Sequence, residues 1–359
     1  MTLIPVYGHD ALRSRLRAAA GRGALGASIL LHGPQGVGKQ RLALWLAQLL
    51  LCPEPSAPCG RCQTCRYSGS LTHPDLHWIF PRPRPRDADP SADEIAADYG
   101  AAIAERMAAG GLYAPPSGSD AIFVATVRAM LRSAALAPSL ARRKVFVVGD
   151  AERMVPQEGA EAAANAFLKL LEEPPADTTI ILTSSVPGSL LPTIRSRVVS
   201  VRVPSLRDEA VREFVEDERV RAWAAGAGLP ADAPALVRMA GGAPGSLLGR
   251  VDSTGSHVRA RKILDAALSK AGRADQFALA LSAGAAKSRA GFTQTLDALT
   301  ELLHDRARQA IAGNRVREAS DAATATDAVD RARILAYGNV NPQLITAALV
   351  GELEGVLNG

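Results

Sequence analysis

Ser28-Ile29-Leu30-Leu31-His32-Gly33-Pro34-Gln35-Gly36-Val37-Gly38-Lys39-Gln40 is the stretch on which the fold turns. Residues 28–31 read as a buried strand, and Leu42, Trp45, Leu46 and Leu49 then recur at helical spacing. Between them lies a glycine-rich turn, Gly-x4-Gly-Lys, built on Gly33, Gly36, Gly38 and Lys39. Strand, turn and helix form the context in which such a loop binds phosphate. Its backbone N–H groups and the helix N-terminus cradle the anion, and the lysine reaches the outer phosphates. The next position of a magnesium-binding loop is Ser or Thr. Here it is Gln40, whose longer amide is a poor ligand in a compact octahedral site. The loop is therefore compatible with ATP and magnesium, while Gln40 counts against hydrolysis.

The chain's four cysteines follow at once, as Cys52-x6-Cys59-x2-Cys62-x2-Cys65. Zinc takes four soft ligands in a tetrahedron, and each Cys-x2-Cys turn delivers two thiolates from one short loop. Gly60 supplies the backbone freedom that such a knuckle needs. Four protein ligands leave no open position for water, so a zinc ion here is structural. Two disulfides are the alternative. Arg13, Arg15, Arg17 and Arg22 interrupt the first thirty residues, which therefore carry no apolar core of a signal peptide. A reducing compartment follows, and it disfavours disulfides.

At 359 residues the chain has room for two or three domains. Hydrophobic residues make up 47% but aromatics only 4%, so Ala, Leu and Val must build most of the core. The charge of +5, from 41 basic and 36 acidic residues, is too balanced to argue nucleic-acid binding by itself. No apolar run approaches the roughly 18 residues of a membrane span. The expectation is a soluble, cytoplasmic protein without membrane contact.

A second buried strand is expected at 145–148, an uninterrupted apolar run, and a third at 179–182. After the second, an ATPase of this kind places an Asp and then a Glu, for magnesium and for the attacking water. The chain has Gly149-Asp150-Ala151-Glu152. Asp150 suits the first role, but Ala151 stands in place of the Glu; the alternative is that Asp150 and Glu152 are simply exposed acids at a strand end. Ala160, Ala164, Phe167, Leu168 and Leu171 form one apolar helical face that Pro174 ends. Glu172 and Glu173 fall at the negative end of that helix, an unfavourable place for a carboxylate.

With these pieces together, the chain resembles the bacterial DNA polymerase III clamp-loader subunits of the AAA+ class, and within them the delta-prime subunits. Gly8-His9, His73-Pro74-Asp75 and the run 165–175, Asn-Ala-Phe-Leu-Lys-Leu-Leu-Glu-Glu-Pro-Pro, carry the resemblance. So does Ile194-Arg195-Ser196-Arg197-Val198, similar to a Ser-Arg-Cys segment with Val198 in place of cysteine. It is strong over 1–205 and weaker beyond. It implies an α/β AAA+ phosphate-loop module over 1–205 with an inserted zinc knuckle at 52–65, a helical lid at 206–250, and an all-α collar for oligomerisation at 256–359. A solitary helical bundle is the alternative for the last part.

The resemblance also implies that Arg197 acts in trans as an arginine finger on a neighbour's ATP site, with Arg195 as its nearest confounder. One of Thr183, Ser184 and Ser185 would serve as a phosphate sensor. Leu248 falls where hydrolysing relatives have a sensor arginine. Gln40, Ala151 and Leu248 together describe a subunit that serves another's ATPase, its own being weak or absent. Implied partners are the gamma/tau motor subunits, a clamp-opening delta subunit, the sliding clamp and primer-template DNA, at a nucleoid-associated replisome. A working motor subunit of the same machine is the first rival, and a stand-alone zinc nucleic-acid-binding protein the second. Residues 81–119, opening with alternating Pro and Arg, read as an exposed loop or a DNA-contacting arm, with a short helix at 92–109. Beyond 256, the runs 260–269, 295–311 and 342–357 read as amphipathic helices.

Overall fold

The computed structural model describes residues 3–85, 87, 89–112, 115, 116, 120–154, 160–249, 254–269, 279–281, 289–337 and 340–358. They divide into two compact units, one from Met1–Pro116 with Ala121–Val251 and one built on Asp252–Gly359.

In the first unit, α1 (Asp10–Gly21) leads into β1 (Ser28–His32), and α2 (Lys39–Leu51) and α3 (Gln63–Gly69) precede β2 (Leu76–Ile79). Next come α4 (Ala92–Ala108), α5 (Val124–Ala134), β3 (Lys144–Val148), α6 (Ala160–Glu172), β4 (Thr178–Ser184), α7 (Pro192–Arg195) and β5 (Val199–Arg202). The strands form one sheet in the order β2-β3-β4-β1-β5. Every pairing is parallel, with Ser28 opposite Ile180, Ile29 opposite Val199 and Val148 opposite Leu182. Parallel neighbours need long crossovers, and the intervening helices supply them.

The strands expected at 28–31, 145–148 and 179–182 are the three central ones, fully enclosed because their residues are apolar on both faces. β2 and β5 were not anticipated. Each is four residues long, and His77 in β2 and Ser200 and Arg202 in β5 interrupt the apolar signal. Since β3, β4 and β1 are adjacent, their C-terminal ends bring the glycine-rich loop, Asp150 and Ser185 to one rim of the sheet. That rim is where open parallel sheets hold ligands.

The Pro-Arg run that opens the segment expected as an exposed loop is largely exposed where it is described, at Pro83 and Arg84 for example, but the helix within the segment packs one face on the core. α4 begins with a capping box, Ser91 and Glu94 each bonding the other's backbone N–H. It buries Ile95, Tyr99 and Ala102 against the main cluster. The Tyr99 hydroxyl donates to the Phe80 carbonyl at 2.7 Å, and Arg82 holds Asp98 through two bonds of 2.9 and 2.8 Å. The Arg106 guanidinium lies 3.3 Å from the centre of the Phe80 ring. The helix of 92–109 is present as α4, and its apolar side faces inward, which corrects the reading of this part as an exposed loop.

Four further helices complete this unit: α8 (Asp208–Glu216), α9 (Glu218–Gly226), α10 (Ala233–Ala240) and α11 (Ser246–Gly249). They share their own small core of Val211, Val215, Leu236, Val237 and Leu247. The described residues of the second unit include α12 (Thr254–Leu268), α13 (Arg289–Ala312), α14 (Val316–Tyr337) and α15 (Pro342–Leu357). Three of these answer the amphipathic runs read from sequence. α14 was missed because its buried side is Ala322, Ala325, Ala328 and Ala332 around a single Val329, and alanine carries little hydrophobic periodicity.

Candidate nucleotide site and cysteine cluster

Gly33 and Gly36 are required by what lies against them, and Gly38 by its φ of +92°. A side chain at Gly33 would sit 2.0 Å from the Val203 carbonyl oxygen. Gly36 has φ +78°, and a Cβ there would lie 2.8 Å from the Ser246 nitrogen. The reason is a direct contact: Gly245 N–H donates to the Gly36 carbonyl at 2.8 Å, joining the loop to the start of α11. From the other side, His9 Nε2 meets the Val37 carbonyl at 2.8 Å.

Lys39 is 6% exposed. Its Nζ donates to the Gly33 and Pro34 carbonyls at 2.9 and 2.7 Å and to the Ser185 hydroxyl at 2.8 Å. Burial lowers its pKa to about 8, against the opposing pull of the Asp150 and Glu152 carboxylates. Of the three hydroxyls considered from sequence, the other two are engaged elsewhere. Thr183 Oγ1 accepts from the Asp150 N–H at 3.1 Å, and Ser184 Oγ from the Val186 N–H at 3.1 Å. Ser185 is the one that faces the loop.

Gln40 stands between the loop and the end of β3. Its Nε2 donates to Asp150 Oδ2 at 3.0 Å, and its Oε1 accepts from the Trp78 indole N–H at 3.1 Å. A phosphate-loop ATPase shares magnesium between a loop hydroxyl and the acid at this strand end. Here an amide links those two places directly. Ala151, in place of the second acid, is fully buried.

Asp150 and Glu152 are not the exposed strand-end acids that sequence left open. Asp150 is half-buried in a left-handed turn with φ 49°, which aims its carboxylate at Gln40. Glu152 is 2% exposed; its Oε1 accepts from the Ser185 N–H at 3.0 Å, and its Oε2 has no hydrogen-bond partner among the described residues. Burial, and then Asp150, push its pKa up. Sequence missed this because an acid four residues past a strand has no local signature of burial.

A cavity of about 180 Å³ opens beside the loop, with Ile4, Tyr7, Lys39, Leu112, Phe214 and Leu248 in its walls. Leu248, taken from sequence as a replaced arginine, is an apolar part of this wall. Leu112 comes from the 81–119 segment, which is tied down by Ile4 N–H donating to the Gly110 carbonyl at 2.9 Å. Tyr7 donates to Asp217 Oδ2 at 2.8 Å and so joins the N-terminal segment to the start of α9.

The sulfurs of Cys52, Cys59, Cys62 and Cys65 all lie within 4.8 Å of one another. Cys52 and Cys62 are 3.9 Å apart and Cys59 and Cys65 4.0 Å, so none is disulfide-bonded. A zinc tetrahedron with bonds of about 2.3 Å has edges of about 3.8 Å, close to these separations. The Cys62 N–H points at Cys59 Sγ and the Cys65 N–H at Cys62 Sγ, each at 3.4 Å. The Cys59 thiol is held down to about 6, chiefly by the Cys62 backbone N–H, whereas burial pushes Cys62 and Cys65 up. A cation is what lets four such thiols ionise side by side. The cluster fits a metal such as zinc.

Arg197 follows α7 on the surface. Its Nη2 donates to Glu172 Oε1 at 2.6 Å, and its Nη1 to the Thr193 carbonyl at 2.9 Å and to Ser196 Oγ at 3.3 Å. Glu172 is the acid whose place at the end of α6 was unfavourable in sequence. The structure supplies the compensating cation.

A parallel α/β sheet with a glycine-rich loop at the end of β1, one of its three inner strands, followed by four clustered thiols, is the arrangement of a phosphate-loop fold with a candidate metal knuckle. Residues 8–207 match the family described as DNA polymerase III, delta subunit. The chain belongs to that family. It is 33% identical over 186 residues to the DNA polymerase III subunit delta' of Pseudomonas aeruginosa, covering 51% of this chain and 45% of that one. Against the delta' subunit of Escherichia coli K12 the figures are 31% over 180 residues, 50% and 42%. The gamma/tau subunit of Mycobacterium bovis is 30% identical over 194 residues, covering 54% of this chain and 27% of that one. The chain spans less than half the length of these relatives. No helix among the described residues is long and apolar enough to cross a membrane.

Proposed function

We propose that this chain is the non-motor, delta-prime type of subunit in a bacterial replicative clamp loader of the AAA+ class, helping to load the sliding clamp onto primed DNA. The observation that carries the reading is the Gln40 amide bonded to Asp150 at 3.0 Å, between the two groups that would share magnesium. Buried Ala151 and apolar Leu248 support it, since neither can activate water or hold a phosphate. Ser185 is the phosphate-sensor position. In this reading 1–205 is the AAA+ module, 206–250 a lid and 256–359 a collar that joins the ring. Cys52, Cys59, Cys62 and Cys65 hold a structural zinc ion. Arg197 is offered to the ATP site of a neighbouring gamma/tau-type motor, where a permanently charged guanidinium stabilises the transferred phosphoryl. The clamp-opening delta subunit, the clamp and primer-template DNA complete the cytoplasmic assembly, with DNA contacts mainly to phosphates and therefore salt-sensitive.

The test is steady-state ATPase activity of the chain alone, and then assembled with motor and clamp-opening subunits, clamp and primed DNA. The expected outcome is a silent isolated chain and an assembly slowed by Arg197→Ala without loss of assembly. One observation favours a second reading, a motor subunit: the loop glycines and Lys39 are intact, and a gamma/tau protein is among the relatives. Magnesium-dependent hydrolysis by the isolated chain would establish that reading instead.

A further inference from the structure

We propose that Glu172 is a positioning residue for Arg197, holding its guanidinium in the attitude a neighbouring subunit's nucleotide would meet. The inference rests on the reading of Arg197 as a finger acting in trans, and deepens it. Both ends of the pair are anchored from below. α6 ends on the buried residues Phe167, Leu170 and Leu171, and α7 is pinned by fully buried Ile194, whose carbonyl accepts the Arg197 N–H at 3.1 Å.

On this footing the guanidinium is fixed from two directions. Glu172 takes Nη2, while the Thr193 carbonyl and Ser196 hydroxyl take Nη1. A guanidinium has five N–H donors, so three bonds orient it and leave donors for an anion. The negative end of α6 adds to the Glu172 charge and draws the cation to the same place. Arg195, two residues away, makes no side-chain hydrogen bond or ion pair among the described residues. The structure therefore separates two arginines that sequence could not: Arg197 is held, and among the described residues Arg195 is not. A side chain with this many torsions, left unheld, would spend little time in any one attitude, and holding it removes that loss before the neighbour arrives.

The experiment measures kcat and KM for ATP in the full assembly for wild type, Glu172→Ala, Glu172→Gln, Arg197→Ala and the Ala/Ala double variant, with melting curves for each. Glu172→Ala is expected to lower kcat by about tenfold at unchanged KM, as misplacement of a reacting group does. Glu172→Gln keeps an acceptor in place and should recover part of the loss. In the Arg197→Ala background, Glu172→Ala should cost nothing further. A normal rate for Glu172→Ala beside a slow Arg197→Ala sinks the positioning role and leaves the finger standing. An equal loss in both backgrounds, or a lowered melting temperature that accounts for it, means that Glu172 serves the fold, and also overturns the inference. If Arg197→Ala itself runs at the wild-type rate, the finger reading fails and this one with it.

Discussion

The Gln40 amide donates to the Asp150 carboxylate at 3.0 Å across 110 residues of chain, with its oxygen on the Trp78 indole at 3.1 Å. The residue that departs from the loop's usual hydroxyl is thus a structural link rather than a neutral substitution. It ties α2 to the ends of β3 and β2 where an ATPase of this kind would hold a cation.

Gln40→Ala removes the bonds to Asp150 and Trp78, each worth about 0.5–1.5 kcal/mol net, so stability should fall by at least about 1–3 kcal/mol in urea titrations. Gln40→Thr should make nucleotide affinity sensitive to chelation of magnesium, while wild-type affinity stays the same with and without chelator. A wild-type affinity that collapses on chelation would show that Gln40 does not replace the ion.

The buried Lys39 sets a pH dependence on stability. Its folded pKa of about 8 lies below the ordinary 10.5, so between those values the unfolded chain binds a proton that the folded chain does not. The contribution of Lys39 to stability then rises with pH across that window, by at most roughly 3 kcal/mol, and the difference between wild type and Lys39→Met isolates it from the cysteines, whose raised pKa values at Cys62 and Cys65 act in the opposite sense. Lys39→Met should abolish the rise. Denaturant titrations at pH 7.5, 9 and 10 on both proteins provide the check.

If the knuckle binds zinc, elemental analysis of protein purified without chelators should find one equivalent. Cys62→Ala should lose it, and strong chelation should lower the melting temperature of wild type but not of the variant. Structural zinc sites contribute directly to folding. Metal-free protein with unchanged melting would return the cluster to four free thiols.

α4 should behave as core. Tyr99→Ala removes a 5% exposed ring packed edge-on against Phe80, together with its hydroxyl bond, and should cost about 3–5 kcal/mol. A cost below about 0.5 kcal/mol, the usual range of a surface change, would restore the reading as an exposed loop.

What was legible from sequence was short in range. The strand, loop and helix of 28–49 follow from residue spacing and glycine freedom, and the cysteine knuckle from two overlapping Cys-x2-Cys turns. The central strands announced themselves because both their faces are buried, so their apolar runs are continuous. Each of these depends on residues a few positions apart, where backbone geometry dictates who meets whom.

Only tertiary structure decided the rest, because it rests on pairs that the chain brings together from far apart. Gln40 meets Asp150 and Trp78, Lys39 meets Ser185, and Arg197 meets Glu172, over 110, 38, 146 and 25 residues. Whether Glu152 is charged at a surface or enclosed in the core depends on the elements packed over it. So does the fate of α4, whose modest Ala-rich face reads as solvent-exposed until Phe80 and Trp78 are placed beneath it. Local sequence specifies an element and its periodicity; desolvation and long-range partners, which set the chemistry of this site, exist only once the sheet has assembled.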